Sequence, residues 1–398
     1  MGLGKTYTGA EKMIRLGAKI NLLICQKSKI QDWIDHFKKN YCEMAVVDLT
    51  VKGAILTLAE WKFGMPVVGI INYELAWRRK DLLKLHEITL MLDESSLIQN
   101  KTAKQTKFIL KLDAANVILL SGTPTSGKYE NLWTQARLLG WEISESLYQR
   151  QYVNWNTIKI PGGQFIKVVD KANPYKNVDR LKSKLREHGA TFLKTEDVMN
   201  LPKQTFVEIN ISKPKHYYKF MKDSIVTVNG VELVGDTGLT KRLYARELCG
   251  IYSAEKLEAF RDLISSTNDR IIVFYNFTAE LDKLWNLAHE LNRPCSIVNG
   301  ATKDLCDYEL YNDSITFVQY QAGAMGLNLQ KANKIIYYSP PERSELFEQS
   351  KKRIHRIGQE KPCFYYLMIC QNTVEVNIYE ALKQRKDFTD ELFRECEK

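Results

Sequence analysis

The eight cysteines of the 398-residue chain, at 25, 42, 249, 295, 306, 363, 370 and 396, form no Cys-x-x-Cys pair. Thiols scattered in this way exclude a zinc-ribbon spacing and a disulfide framework, and read as reduced core residues of an intracellular protein. No apolar run approaches the ~18 residues that a membrane span needs, so no membrane partner is expected. The longest runs are stretches such as Val117-Ile118-Leu119-Leu120. No basic-then-apolar leader opens the chain, which argues against secretion. Internal repeats and low-complexity tracts are also missing. With 44% hydrophobic and 26% charged residues, wholesale disorder is excluded. The length suits two domains, each able to bury its own core.

What the chain does have is positive charge, 57 Lys+Arg against 47 Asp+Glu, for a net +10. Lys171 to Lys222 holds twelve Lys/Arg and five Asp/Glu, and Gln349 to Lys361 holds five Lys/Arg against Glu360 alone. Two readings stay open for these stretches, solvated helical faces or a surface that meets the phosphates of a polyanion.

Short apolar, β-branched runs recur, each followed by a helix-like stretch. They are Ile20–Cys25, Ala45–Leu49, Val67–Asn72, Ile88–Leu92 and Val117–Leu120, then Arg270–Asn276, Cys295–Val298, Ile315–Gln319, Lys334–Tyr338 and Phe364–Ile369. Continuous rather than alternating runs suit strands buried on both faces of a parallel sheet. Between the two sets the pattern is less regular and mostly helical, with turn punctuation at Pro161-Gly162-Gly163 and Asn229-Gly230. The expected fold is α/β, with two lobes built on parallel sheets and joined by a largely helical, basic segment. The expected divisions are 1–142, 143–255 and 256–398.

The chain opens Met1-Gly2-Leu3-Gly4-Lys5-Thr6. Gly-Lys-Thr is the core of a phosphate-binding loop: Gly2 and Gly4 let backbone N–H groups turn toward phosphate oxygens, Lys5 reaches the β/γ phosphates, and the Thr6 hydroxyl takes Mg²⁺. The same letters fit the myristoylation pattern M-G-x-x-x-T. A partner motif favours the phosphate loop. The apolar run Ile88–Leu92 delivers Asp93 and then Glu94 at its carboxyl end, where Asp93 would hold Mg²⁺ and Glu94 would polarise an attacking water. The competing reading is a strand that ends in a solvated acidic turn.

Further segments follow in order: Ser121-Gly122-Thr123-Pro124; Ala322-Gly323-Ala324-Met325-Gly326-Leu327-Asn328-Leu329; and Gln349-x-x-x-Arg353-x-His355-Arg356-Ile357-Gly358-Gln359. With Trp33 and Phe37 placed after a strand, this order resembles the motifs of superfamily-two helicase-like ATPases. The Arg353–Gln359 ending, Gly326-Leu327-Asn328-Leu329, Asp93–Asn100 and Ser253-x-x-Lys256-Leu257 resemble its Swi/Snf-type DNA translocase branch, from residue 1 to about 370. The resemblance implies two RecA-like lobes with ATP in the cleft between them. It gives Lys5 and Thr6 to phosphate and Mg²⁺, Asp93 and Glu94 to metal and water, and Ser121, Thr123 and Ser96 to coupling. It places Arg353 and Arg356, on a helix of the second lobe, at the γ-phosphate, with Gln349 nearby and Gly326 facing the cleft. Lys215, Lys219, Lys351 and Lys352 are the candidate DNA contacts.

Some positions depart from that pattern. Ser96 stands where the family usually has His, Gln99 where it has Lys or Arg, Gln26 where it has Pro, and Ala324 where it has Gly. None of these removes a catalytic group. The strand that feeds the phosphate loop and the adenine-reading segment would precede Met1, so the chain is expected to begin inside its first motif. The function expected is ATP hydrolysis coupled to translocation along double-stranded DNA, without sequence readout, in a compact phage or bacterial type of the bacterial or host cytoplasm. Replication, repair or recombination proteins are its expected company. A strand-separating DNA or RNA helicase and a catalytically impaired DNA-binding fragment are the alternatives.

Overall fold

The apolar runs become strands of two sheets, because a strand covered by helices on both faces needs an apolar side chain at nearly every position. The computed structural model describes residues 4–61, 64–125, 128–160, 162–170, 172–192, 200–323 and 327–393. Within these residues the chain divides into two compact units, one of residues 4–192 with 387–393 and the other of residues 200–386. No described helix is long and apolar enough to cross a membrane.

In the first unit, β1 (Ile20–Cys25), β2 (Ala45–Asp48), β3 (Val67–Asn72), β4 (Ile88–Asp93) and β5 (Ala114–Leu120) form a parallel sheet in the order β2-β3-β1-β4-β5. Alternate side chains of β1 enter two apolar clusters, Leu23 and Cys25 on one face and Leu22 and Ile24 on the other. The helix Lys5–Arg15 buries Gly9, Ala10 and Met13. A Cβ on Gly9 would come within 2.6 Å of Leu120 Cδ1 and 2.9 Å of Met91 Sδ, so glycine sets how closely this helix approaches β4 and β5. The helix Ile30–Asn40 adds Trp33, Ile34 and Phe37 to the same cluster. A ribbon of β6 (Trp155–Lys159) and β7 (Phe165–Val169), paired antiparallel, belongs to neither large sheet.

The second unit contains β8 (Gln204–Ile211), the hairpin β9 (Ile225–Val228) and β10 (Val231–Val234), and the strands β11 (Ile271–Tyr275), β12 (Cys295–Val298), β13 (Lys303–Asp304), β14 (Ile315–Gln319), β15 (Lys334–Tyr337) and β16 (Cys363–Cys370). Its seven-stranded sheet has the order β13-β12-β14-β11-β15-β16-β8, parallel except between β12 and β13.

The stretch 143–255 is not a unit of its own, and it contains strands as well as helices. Its first part closes on the first unit: the helices Glu145–Tyr152 and Val178–Glu187 bury Tyr148, Tyr152, Leu181 and Leu185 with Tyr129 and Leu132. Its second part extends the second sheet, with β8 paired to β16 from Gln204↔Cys363 to Ile211↔Cys370. Each part has an apolar face that only a neighbouring core can cover, so the expected boundaries at 142/143 and 255/256 fall inside units. β8 reads Gln-Thr-Phe-Val-Glu-Ile-Asn-Ile, the two-residue alternation of a half-buried edge strand, which a search for continuous runs passes over.

Candidate nucleotide-binding site

The residues expected to bind phosphate and metal converge at the carboxyl ends of β4 and β5. Gly4 adopts φ +70°, a left-handed conformation, and starts the helix Lys5–Arg15 without a side-chain cap. The first intrahelical bond is Thr8 N–H to the Gly4 carbonyl at 3.0 Å, so the N–H groups before it point out of the helix end, where an anion is stabilised. Lys5 Nζ stands 3.9 Å from Glu94 Oε2. Glu94 is held at φ +61°, a strained conformation for a residue with a Cβ, at a cost of about 1–3 kcal/mol. Ser96 and Ser121 donate to Glu94 Oε1 at 3.3 and 3.2 Å, and the Thr123 N–H donates to Ser121 Oγ at 3.1 Å. Thr123 Oγ1 is buried without a hydrogen-bond partner. The segments after β4 and β5 are thus joined through one carboxylate.

Asp93 ends β4. Trp33 Nε1 donates to Asp93 Oδ2 at 2.9 Å, and the Tyr73 hydroxyl donates to the Asp93 carbonyl at 2.9 Å. Burial dominates and pushes the Asp93 carboxyl above the ordinary aspartate range; the Trp33 N–H and the Lys5 ammonium oppose it, and Glu94 adds to it. Burial likewise pushes the nearby Cys25 thiol far up, with Asp93 contributing, so Cys25 is an inert core thiol. A half-buried carboxylate and the half-buried Thr6 hydroxyl are hard-oxygen donors of the kind that suits Mg²⁺. Trp33 was legible only as an aromatic placed after a strand; its N–H reaches the Asp93 carboxylate only because the fold carries it to a residue 60 positions away.

A second link ties these segments together. Gln99 and Gln135 both donate to the Pro124 carbonyl, at 2.8 and 2.7 Å, and Ser95 Oγ donates to Gln135 Oε1 at 3.0 Å. Gln99, where a longer cation was expected, works here as an amide.

Gln349, Arg353 and Arg356 lie in the second unit. The helix Ser344–Lys351 ends before both arginines, so the helix expected through Arg353 is corrected to a turn. The turn is held by its backbone, with Leu329 N–H donating to the Arg353 carbonyl at 3.1 Å, and by Gln359 Nε2, which donates to the carbonyls of Ala332 at 2.8 Å and Ile354 at 3.2 Å. Gln349 Nε2 reaches Glu345 Oε1 at 3.4 Å. Arg356 is half-buried, reaches the Leu327 carbonyl at 3.4 Å, and is shifted down by burial.

Lys351 does not face solvent as a DNA contact would. It is buried, paired with Glu348 at 2.5 Å and stacked 5.1 Å from the Phe347 ring centre. Lys352 is half-buried, and Lys215 and Lys219 are exposed. Tyr217 packs in the core, its hydroxyl accepting from Val374 N–H at 2.7 Å, while Tyr218 is 67% exposed. Gly2 and Gly326 lie outside the described residues.

Residues 1–249 match the SNF2-related domain. The chain belongs to the SNF2-related domain family. Residues 255–358 of this SNF2-related chain match the helicase conserved C-terminal domain, and its two α/β units are the RecA-like lobes of this superfamily-two, Swi/Snf-type group. A mouse SWI/SNF-related matrix-associated actin-dependent regulator of chromatin, subfamily A member 1, is 25% identical over 97% of this chain and 40% of its own length. The yeast ISWI chromatin-remodeling complex ATPase ISW1 is 22% identical over 97% of this chain and 37% of its own. The Bacillus subtilis uncharacterized ATP-dependent helicase YqhH is 22% identical over 97% of this chain and 73% of its own. The chain therefore spans about two-fifths of the length of the chromatin regulators it resembles. A solved Sulfolobus solfataricus SWI2/SNF2 ATPase core in complex with dsDNA covers 98% of this chain and 86% of that one, at 18% identity and a TM-score of 0.46.

Proposed function

We propose that this SNF2-related chain hydrolyses ATP and uses the cycle to move along double-stranded DNA. The observation that carries the reading is the Lys5–Glu94–Ser121 connection, which joins the phosphate-loop lysine, the acid that would polarise water and the segment after β5 through one carboxylate. The names of the relatives, a chromatin-remodeling complex ATPase and an ATP-dependent helicase, support the same chemistry.

Lys5 and the N–H groups at the start of its helix bind the phosphates, and Thr6 and Asp93 would hold Mg²⁺, which when bound neutralises phosphate charge. Glu94 takes the proton of the attacking water. Its contact with Lys5 lengthens or breaks as phosphate draws the ammonium away, which frees the carboxylate to act as base. Ser96 and Ser121 sense that carboxylate, so its rearrangement reaches Thr123 through the Ser121 hydroxyl. Arg353 and Arg356 stabilise the charge that develops on the γ-phosphate, with Gln349 as the residue expected near the nucleotide. Lys215, Lys219 and Lys352 contact DNA phosphates, giving affinity without sequence readout.

The test is DNA-stimulated ATPase activity, with Lys5→Ala and Glu94→Gln as controls. Both are expected to lose at least about 10²-fold in turnover, Glu94→Gln while still binding nucleotide. Controls that match the parent refute the catalytic assignment. Triplex displacement without strand separation is expected; unwinding that needs no duplex track would favour a helicase.

A further inference from the structure

The β6–β7 ribbon has an unusual surface for an element that nothing else in its sheet supports. Two-stranded ribbons are marginal alone, and their apolar side chains normally pack on a core. Here Trp155, Ile158, Phe165 and Ile166 are 40%, 43%, 69% and 40% exposed. Cross-strand partners share a face, and the register pairs Trp155 with Val169, Thr157 with Lys167 and Lys159 with Phe165. One face therefore presents Trp155, Lys159, Phe165 and Lys167 together. No acidic residue occurs between Trp155 and Val169.

A cavity of about 460 Å³ lies at the foot of the ribbon, against Trp155. Trp133, Gln99, Asn100, Asn131 and Gln149 also line it. Gln149 Nε2 donates to the Glu130 carbonyl at 3.0 Å, while its Oε1 is shut off from solvent with no hydrogen-bond partner. The charges at the rim are largely spent: Lys101 is paired with Glu145, and Glu130 accepts from the Tyr175 hydroxyl at 2.7 Å. Two carboxylates repel phosphate but accept readily from the amino groups of a base.

We propose that this ribbon and the cavity at its foot bind unpaired nucleotides. Trp155 and Phe165 stack on bases, Lys159 and Lys167 meet the phosphates between them, and the cavity takes one base edge. Stacking platforms interleaved with cations are how single strands are held, and every base offers a π-face. A ribbon reading the groove of an intact duplex would need polar side chains at the base edges, and this face offers only Thr157 besides its lysines. The inference rests on the reading of the chain as a DNA motor and refines it: the preferred substrate is a duplex that carries a single-stranded branch or tail.

The test measures fluorescence anisotropy with three DNAs at one salt concentration: a blunt duplex, the same duplex with a single-stranded tail, and the tail alone. The parent is expected to bind the tailed duplex at least tenfold more tightly than the blunt one. Phe165→Ala and Trp155→Ala should each weaken tailed and single-stranded binding by roughly 5- to 100-fold and leave blunt-duplex binding within twofold, with Trp155→Phe restoring most of the loss. A 2-aminopurine in the tail should be quenched by the parent and not by Trp155→Ala. Phe165 is the safest site to truncate because most of its surface is already in water. Equal losses on blunt and tailed DNA, no loss on either, or variants that change only self-association in sedimentation would each overturn the inference. If the parent binds no DNA and its ATPase ignores DNA, the motor reading itself fails. If blunt-duplex binding and stimulation stand without a tail preference, only the ribbon assignment fails.

Discussion

Removing the ammonium of Lys256 should unfold the second lobe well before it affects anything else. Lys256 Nζ lies 2.6 and 2.8 Å from the two oxygens of Glu375, with side-chain exposures of 0% and 1%. Glu375 Oε2 also accepts the Cys370 N–H at 2.9 Å. Burial alone would pull Lys256 down, but Glu375, with the thiols of Cys370 and Cys249, outweighs it and holds the lysine above its ordinary value. Cys249, Cys370 and Glu375 cluster closely enough to suggest a metal site, but the ammonium already supplies their cation. Lys256→Met keeps the aliphatic stem and leaves a buried carboxylate unpaired, a loss of about 3–5 kcal/mol. At roughly 2–4 °C per kcal/mol for a unit of this size, Tm falls by roughly 6–20 °C. The pH dependence is a second signature. A lysine with a raised pKa contributes fully below its unfolded value and loses that contribution only as pH climbs through the raised one, so the parent should be flat from pH 5 to 8.5 on this account. In Lys256→Met the lone carboxylate is driven to take a proton, and the penalty deepens as pH rises. Lys256→Met/Glu375→Gln should recover most of the stability. Urea and thermal unfolding followed by circular dichroism measure all three. A single variant within about 1 kcal/mol of the parent, or a double variant as unstable as the single, would refute the reasoning.

Gly250 has no room for a side chain: an added Cβ would stand 1.9 Å from Glu280 Oε1, and Glu280 is pinned by the N–H groups of Asn276 and Phe277 and by Ser339 Oγ. Gly250→Ala should cost about 1–3 kcal/mol in thermal unfolding, and a change under about 0.5 kcal/mol would contradict the packing. Between the ordinary aspartate range and the raised value of Asp93, the folded chain holds a proton that the unfolded chain has released, so stability falls as pH rises across that window and stays lower above it. Asp93→Asn should therefore raise Tm at pH 7 in metal-free buffer, lose that advantage near pH 3 and abolish ATPase activity; a lower Tm at pH 7 would count against it. On the proposed mechanism, Arg353→Lys keeps the charge and loses the planar fork, so turnover should drop about 10²-fold or more with the ATP KM within threefold. A change confined to KM would remove Arg353 from the transition state.

The two sheets were readable because a buried parallel strand must be apolar along its whole length. Ile20–Cys25, Val67–Asn72, Cys295–Val298 and Ile315–Gln319 appear with the expected ends. The candidate site residues of the first lobe could be nominated because phosphate chemistry needs glycine, lysine, a hydroxyl and carboxylates at strand ends. Edge and ribbon strands were not. β8 alternates, and β6 and β7 fell in a stretch read as mostly helical with a turn at Pro161-Gly162-Gly163, because no partner surface marks them. Lys351 looked like one of a row of solvent-facing cations, yet the backbone turns it onto Phe347 and Glu348.

The linear order of residues by itself determined the fold class and the family motifs, and it nominated Lys5, Asp93, Glu94, Ser121 and Arg353 as candidates, since those follow from spacing and from what each functional group can do. Only the tertiary structure decided which of them meet. Glu94 joins Lys5, Ser96 and Ser121 because parallel strands end at one level, and Trp33 reaches Asp93 because a helix crosses the strand that carries it. The same holds for Lys256 and Glu375, 119 positions apart, whose pairing no local pattern could announce. A contact of that kind is a property of the packed core, where loss of water makes one neighbour indispensable to another.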